Sequence, residues 1–211
     1  VSCCNLTEDS SDIITSWVNL TNLNLADTSF GDLGVAELKS CRNLRVLSLR
    51  AVSNLGPEGC KHLCEIHTLN NLNIWRTNAG DEGIAYLGRL PALKKILIAE
   101  CGVTDKGLCN FVSGKCKDTL EMLQIFSSPE ITHRSVVRLS HLTSLTTLDI
   151  RIKDLVPRVV PIFASLPKLN HLCLLKCRNL SEVDLEPLLN QDKWKKIRYG
   201  AKDLLTVFYT Y

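Results

Sequence analysis

Apolar residues return along this chain at a fixed spacing. The pattern Leu-x-x-Leu-x-Leu starts at Leu20, Leu44, Leu69, Leu93, Leu120, Leu145 and Leu169, with a degenerate copy, WKKIRY, at Trp194. The steps between starts are 24, 25, 24, 27, 25, 24 and 25 residues. A phase kept over so many steps marks an internal repeat. Side chains alternate along a strand, so the second and third Leu of each copy share the core face, while offsets 2 and 4 from the first Leu point the other way. Later in each repeat comes an apolar pair three residues apart: Val35 and Leu38, Cys60 and Leu63, Ile84 and Leu87, Leu108 and Phe111, Val136 and Leu139, Val160 and Phe163, Leu185 and Leu188. That spacing makes one stripe of a short helix. Asp32, Asp81, Thr104, Asp105, Thr132 and Ser181 precede these pairs as N-cap candidates, and Ser181 with Asp184 has capping-box spacing. Gly34, Gly83 and Gly107 share one repeat position and read as close packing at a helix start.

Each unit is thus strand, turn, short helix and return loop, and it buries its apolar face only against its neighbours. The pattern predicts an α/β fold: a curved, horseshoe-like solenoid of about eight repeats. Its parallel β-sheet, about 34 Å across, lines the concave face, and short helices line the convex face. Residues 20–199 form the solenoid and residues 1–19 an N-terminal capping segment, in which a helix over 8–18 covers the first strand with Ile13, Ile14, Trp17 and Val18. Residues 200–211 are a C-terminal cap or the start of a further repeat.

The stretch LKKILIAECGVTDKGLCNFVSGKC, Leu93 to Cys116, resembles the leucine-rich-repeat family, in particular the cysteine-containing subtype of F-box leucine-rich-repeat proteins. Cys101 and Cys177 hold that subtype's offset-8 cysteine; Cys41 and Cys116 hold its later one. The resemblance runs from Leu20 to about Tyr199. At offset 8 the other repeats depart, with Thr28, Val52, Thr77, Ser128 and Lys153, so the ladder of side-chain hydrogen bonds there is expected to be incomplete. The resemblance implies a leucine-rich-repeat solenoid that selects targets for a ubiquitin ligase. The residues before Leu20 are too few for an F-box.

Composition narrows the function. Apolar residues make up 45% and charged residues 22% of 211, which excludes a disordered chain. A net charge of +3 is too mild for a dedicated nucleic-acid binder, and no apolar run is long enough to span a membrane. The first 20 residues carry Glu8, Asp9 and Asp12 without a basic start, so they do not read as a secretion signal. Eight of the ten cysteines fall at repeat positions, which favours buried thiols in a reducing compartment, the cytoplasm or nucleus. Cys60 with Cys64 and Cys173 with Cys177 are the nearest approach to ligand pairs, and no metal or other cofactor is expected. His171 and Cys173 share a strand face as a potential nucleophile and base, but no orienting group accompanies them and no catalytic site is expected. Sequons at Asn5, Asn19 and Asn179 keep a second reading open, a disulfide-bonded, glycosylated cell-surface or secreted ectodomain.

Function is expected on the concave face, the usual binding surface of a solenoid. There Trp75, Leu97, Met122 and Phe126 are apolar where water is expected, in three consecutive repeats. The face and its rim carry seven cations, Arg50, Arg76, Lys95, Arg151, Lys176, Lys196 and Arg198, against Asp27, Glu100 and Asp149. That is a net +4, so the rest of the chain is slightly acidic. The expected activity is non-enzymatic protein–protein interaction, as a ligase's target-recognition part or a scaffold. The expected partner presents an acidic surface around an apolar anchor, meeting Arg50, Trp75, Arg76, Lys95, Leu97, Met122, Phe126, Arg151 and Leu175.

Overall fold

The computed structural model describes Ile14 and residues 16–200. Eight parallel strands form one open sheet in chain order: β1 Asn22–Asn24, β2 Val46–Ser48, β3 Asn71–Asn73, β4 Lys95–Ala99, β5 Met122–Phe126, β6 Thr147–Arg151, β7 His171–Leu175 and β8 Lys196–Gly200. Between them lie the helices α1 Asp32–Glu37, α2 Pro57–Leu63, α3 Gly80–Leu87, α4 Asp105–Val112, α5 His133–Val136, α6 Val160–Ser165 and α7 Glu182–Leu189, several extended by a 3-10 turn. This is the α/β repeat solenoid expected from the spacing. Register is kept by repeat position whatever the loop length: Asn22 aligns with Val46, then Asn71, Lys95, Met122, Thr147, His171 and Lys196. The extra residues of the 27-residue repeat are taken up by a 3-10 turn at Lys115–Asp118.

The core is one continuous cluster between sheet and helices. Every apolar i, i+3 pair named above is buried in it. The inward Leu and Ile of the strands are buried from Leu23 to Leu174, and the degenerate copy closes the row with half-buried Trp194 and Ile197. At the other end Ile14 is buried and Trp17 packs against the core, but Val18 is exposed and covers nothing. The rest of the expected capping helix and residues 201–211 lie outside the described residues.

Six of the strands are followed by a left-handed residue at the same repeat position: Asp27, Ala51, Arg76, Glu100, Ser127 and Lys176 have φ between 51° and 66°. The sixth repeat has Ile152 there, a β-branched residue that resists positive φ, and it does not take that conformation. Pairing of β6 with β7 stops at Asp149 and Cys173, whereas β5 and β6 pair over their full length.

Side chains tie repeat to repeat. Thr104, Thr132 and Ser181 are N-caps as expected; Thr104 and Thr132 accept from Lys106 and Arg134 N–H, and Ser181 and Asp184 form the capping box. The aspartates act differently. Asp81 accepts from Thr104 N–H and Oγ1, both at 2.7 Å, and Asp105 accepts from Thr132 N–H and Oγ1 at 2.8 and 2.6 Å and from Ser135. Asp32 accepts from Gly56 N–H at 2.7 Å. Each therefore caps the next repeat rather than its own helix. The offset-8 ladder is also fuller than cysteine alone implies. Thr28 and Thr77 donate to the carbonyls of Leu25 and Ile74 at 2.7 and 2.8 Å, Ser128 to Phe126 at 3.2 Å, and Cys101 to Ile74 at 2.9 Å. Val52 brings no donor, so a gap remains there.

Packing at the helix starts leaves no room. A Cβ on Gly107 would sit 2.8 Å from the Asp81 Cα and 2.3 Å from its Oδ1. Gly107→Ala is expected to destabilise by about 1–3 kcal/mol in urea unfolding, while exposed Lys106→Ala stays within about 0.5 kcal/mol. Asp105 gives a pH signature. Burial pushes its carboxyl up, but hydrogen bonds from Ser135 and Thr132 outweigh burial and hold it below the usual range. A depressed carboxyl stabilises fully above its unfolded value, about 3.9, and loses that contribution as pH falls through the lower folded value. Asp105→Asn is therefore expected to cost about 2 kcal/mol at pH 7 and progressively less toward pH 2. Equal losses at both pH values would contradict this.

Candidate functional site

The open face of the sheet presents three rows of side chains, at offsets 2, 4 and 6. The offset-6 row runs Ala26, Arg50, Trp75, Ala99, Phe126, Arg151, Leu175. Its large members do not stand in water separately. Trp75 and Phe126 meet edge to face with ring centroids 5.9 Å apart. They lie two strands apart, and the small Ala99 between them lets the rings close over it. Arg151 stacks on Phe126 at 4.9 Å and Arg50 on Trp75 at 5.8 Å. Both cations are anchored at their far ends: Arg50 pairs with Asp27, and Arg151 forks onto Asp149 at 3.0 and 2.9 Å. The Trp75 indole N–H donates to Glu100 at 3.2 Å, and Arg76 pairs with Glu100 at 3.4 Å. From Asp27 to Asp149 the contacts run in the order ion pair, cation–π, edge-to-face rings, cation–π and ion pair, across six repeats.

This changes the exposure of the expected site. Leu97, Phe126 and Leu175 are only 5–7% exposed, and the Arg151 side chain 10%. Leu97, Ala99 and Phe126 form a small core of their own, with Trp75 packed against it. Reachable from solvent are Arg50, Trp75, Arg76, Lys95 and Met122. The structure therefore brings Trp75, Leu97 and Phe126 together but covers two of the three.

Charge is also redistributed by pairing. Arg50, Arg76 and Arg151 meet the three carboxylates Asp27, Glu100 and Asp149. The other cations of the face are Lys95 and, toward its C-terminal end, Lys176, Lys196 and Arg198.

That end holds a cavity of about 250 Å³. Thr147, Asp149 and Cys173 are its short side chains, flanked by Met122 and Gln124 from β5 and by His171, Lys196 and Arg198. The sequence reading placed these residues on the face without seeing a cavity. The available signal was the run of short side chains between long ones in two adjacent rows.

His171 and Cys173 both line this cavity, but the thiol is not activated. Burial, and then the Asp149 carboxylate, push Cys173 up to about 11. His171 Nδ1 is held 2.6 Å from the Asn170 side-chain oxygen. Nucleophilic thiols are instead held below the ordinary value. The other candidate pairs serve backbone groups: Cys64 Sγ donates to the Tyr86 carbonyl at 2.7 Å, and Cys177 Sγ lies 3.7 Å from the Ile150 carbonyl. All eight cysteines among the described residues are free thiols. Among those residues no three metal-ligating side chains cluster, and no helix is long and apolar enough to cross a membrane.

No family model matches this chain. Its structure is similar to that of an internalin C2 from Listeria monocytogenes, with a TM-score of 0.66 and 19% identity over 95% of this chain and 77% of that one. Together with the single eight-stranded parallel sheet, this establishes a leucine-rich-repeat fold.

Cys173 supplies a direct check on the chemistry. At pH 7.4 it is expected to react with iodoacetamide roughly 100-fold more slowly than an unperturbed thiol, followed by peptide mass spectrometry. Fast, selective labelling of Cys173 would reinstate it as a nucleophile.

Proposed function

We propose that this chain is a non-enzymatic protein-interaction module whose open sheet face takes a protein partner with an acidic surface around an apolar anchor. The observation that carries the reading is the held position of Trp75. Its indole is fixed by Phe126, Arg50 and Glu100, yet it stays half-exposed. A ring ordered before binding loses little entropy on contact, and Trp and Arg are the residues most often dominant in interfaces. In this reading Arg50, Trp75, Arg76, Lys95 and Met122 supply the contact atoms. Leu97, Phe126, Arg151 and Leu175 hold that surface from beneath.

The cysteine-containing resemblance supports a finer assignment, the target-recognition part of a ubiquitin ligase or a scaffold in the cytoplasm or nucleus. Cys101 is buried at the position where that subtype places its cysteine, and its thiol donates to Ile74 in the preceding repeat. The protonated state of Cys173 supports a binding role over a catalytic one.

Affinity capture from cell lysate with wild type beside Trp75→Ala and Arg76→Glu, followed by titration of the captured partner, tests the reading. Trp75→Ala is expected to cost about 2 kcal/mol or more. Arg76→Glu is expected to slow association with an acidic partner, most strongly at low salt. A partner bound equally by wild type and both variants would move the interface off this face.

A further inference from the structure

The cavity over Thr147 and Cys173 is separate from Trp75 and has a different chemistry. Leu148 and Leu172 are buried in the core, so they give the cavity only main chain. Its charged groups are already engaged: Asp149 by the Arg151 fork, and Lys196 and Arg198 each by an interaction of its own. Its neutral groups are not. Gln124 is only 9% exposed, yet its amide hydrogen-bonds to none of the described residues, and neither does the Thr147 hydroxyl. The His171 Nδ1–H donates to the Asn170 oxygen, which leaves Nε2 an acceptor in the neutral ring.

A buried amide without partners costs free energy, and such groups are nearly always met in folded proteins. In the free protein only water can meet this one. At about 250 Å³ the cavity lies below the range that takes a drug-sized molecule, so it suits a single side chain. A charged side chain would find the counter-charges already engaged, and an apolar one would leave the Gln124 amide unmet. A carboxamide is neutral and both donates and accepts. The short Thr147 and Cys173 lie between longer neighbours, so the longer stem of glutamine suits the depth better than that of asparagine. We propose that this cavity takes the side-chain carboxamide of a glutamine of the protein partner, paired amide to amide with Gln124, with its second N–H donating to His171 Nε2 and its oxygen accepting from the Thr147 hydroxyl. This inference rests on the protein-interaction reading above, but it needs neither Trp75 nor an identified partner for its test.

The test is a titration of the full, ¹⁵N-labelled chain, read by amide chemical shifts, both main-chain and the Gln124 side-chain NH2. The probe is N-acetylglutamine N-methylamide, a glutamine as it occurs inside a chain. It is expected to shift Gln124, Thr147 and His171 with a Kd of roughly 1–20 mM, as a ligand of its size allows. The glutamate and methionine analogues have the same blocked main chain and nearly the same shape. Each is expected to bind at least about fivefold more weakly, the first for its charge and the second for its lost hydrogen bonds. Gln124→Met keeps the side chain's length and is expected to erase the preference for glutamine over methionine. Its melting temperature should stay level or rise, because the amide has no partner in the fold to lose. Thr147→Met, which fills the cavity from the open face, is expected to abolish the shifts. Absent shifts, or shifts elsewhere, would overturn the site. Equal binding of the glutamine and methionine compounds, or a lower melting temperature for Gln124→Met, would overturn the role of the Gln124 amide. Free glutamine binding tenfold more tightly than the blocked residue would overturn the partner assignment in favour of the free amino acid. A partner that depends on Trp75 while the glutamine compound fails to bind would sink this inference alone. Selective glutamine binding with a partner indifferent to Trp75 and Arg76 would support the cavity and sink the broader surface assignment alone.

Discussion

No repeat in this chain can satisfy its own buried polar groups. A strand of three to five residues has two open edges, and the backbone N–H groups of Gly56, Thr104 and Thr132, just ahead of their helices, are met from the preceding repeat. Both are closed laterally. The strand ladder joins main chain to main chain, and Asp32, Asp81 and Asp105 reach across to the beginning of the following repeat. Two of these carboxylates sit where a neighbouring Cβ would collide, Asp32 against Gly59 and Asp81 against Gly107, so those two glycines are a condition of the contact. Stability in such an array is a sum of neighbour terms, and the spacing of side chains on the open face follows from it without adjustment.

What the sequence made legible follows from the same constraint. Leu spacing sets the register, and register assigns each residue to the core or the open face, because pairing slipped by one residue would invert both faces. The offset rows are therefore legible from the Leu spacing alone. Direction along the stack was less legible. An Asp at a helix start looks the same whether it caps its own helix or the next one. Only the stacking distance decides, and it put Asp105 on Thr132 and Ser135. The offset-8 ladder was read too narrowly, because a Thr or Ser hydroxyl reaches the same strand-end carbonyls that a thiol reaches.

Exposure on the open face was the hardest to read, since it depends on side-chain size across three strands. Alternate strands lie about 9.6 Å apart, too far for ordinary side chains to touch if the middle strand carries a large one. At offset 6 the middle strand of the aromatic pair carries Ala99, and the rings of Trp75 and Phe126 meet above it, covering Leu97 and each other. Leu97 and Phe126, which suggested an exposed patch, are thus covered, and what remains outside is one fixed indole with cations around it and, on β5, the half-buried Met122.

The same geometry explains why a cavity forms further along the face. At offsets 2 and 4 the short Thr147, Asp149 and Cys173 lie between longer side chains, as Ala99 does at offset 6. Here the flanking groups do not close over the gap. Gln124 and Arg198 are polar or charged, gain nothing from burying one another, and lack the ring faces that drew Trp75 and Phe126 together. A short residue between two aromatics yields a rigid ridge; short residues between polar or charged neighbours yield a depression with a charged wall. Both outcomes follow from one rule of lateral reach, and they divide the open face into a ridge that carries the Trp75 indole and a depression over Thr147 and Cys173.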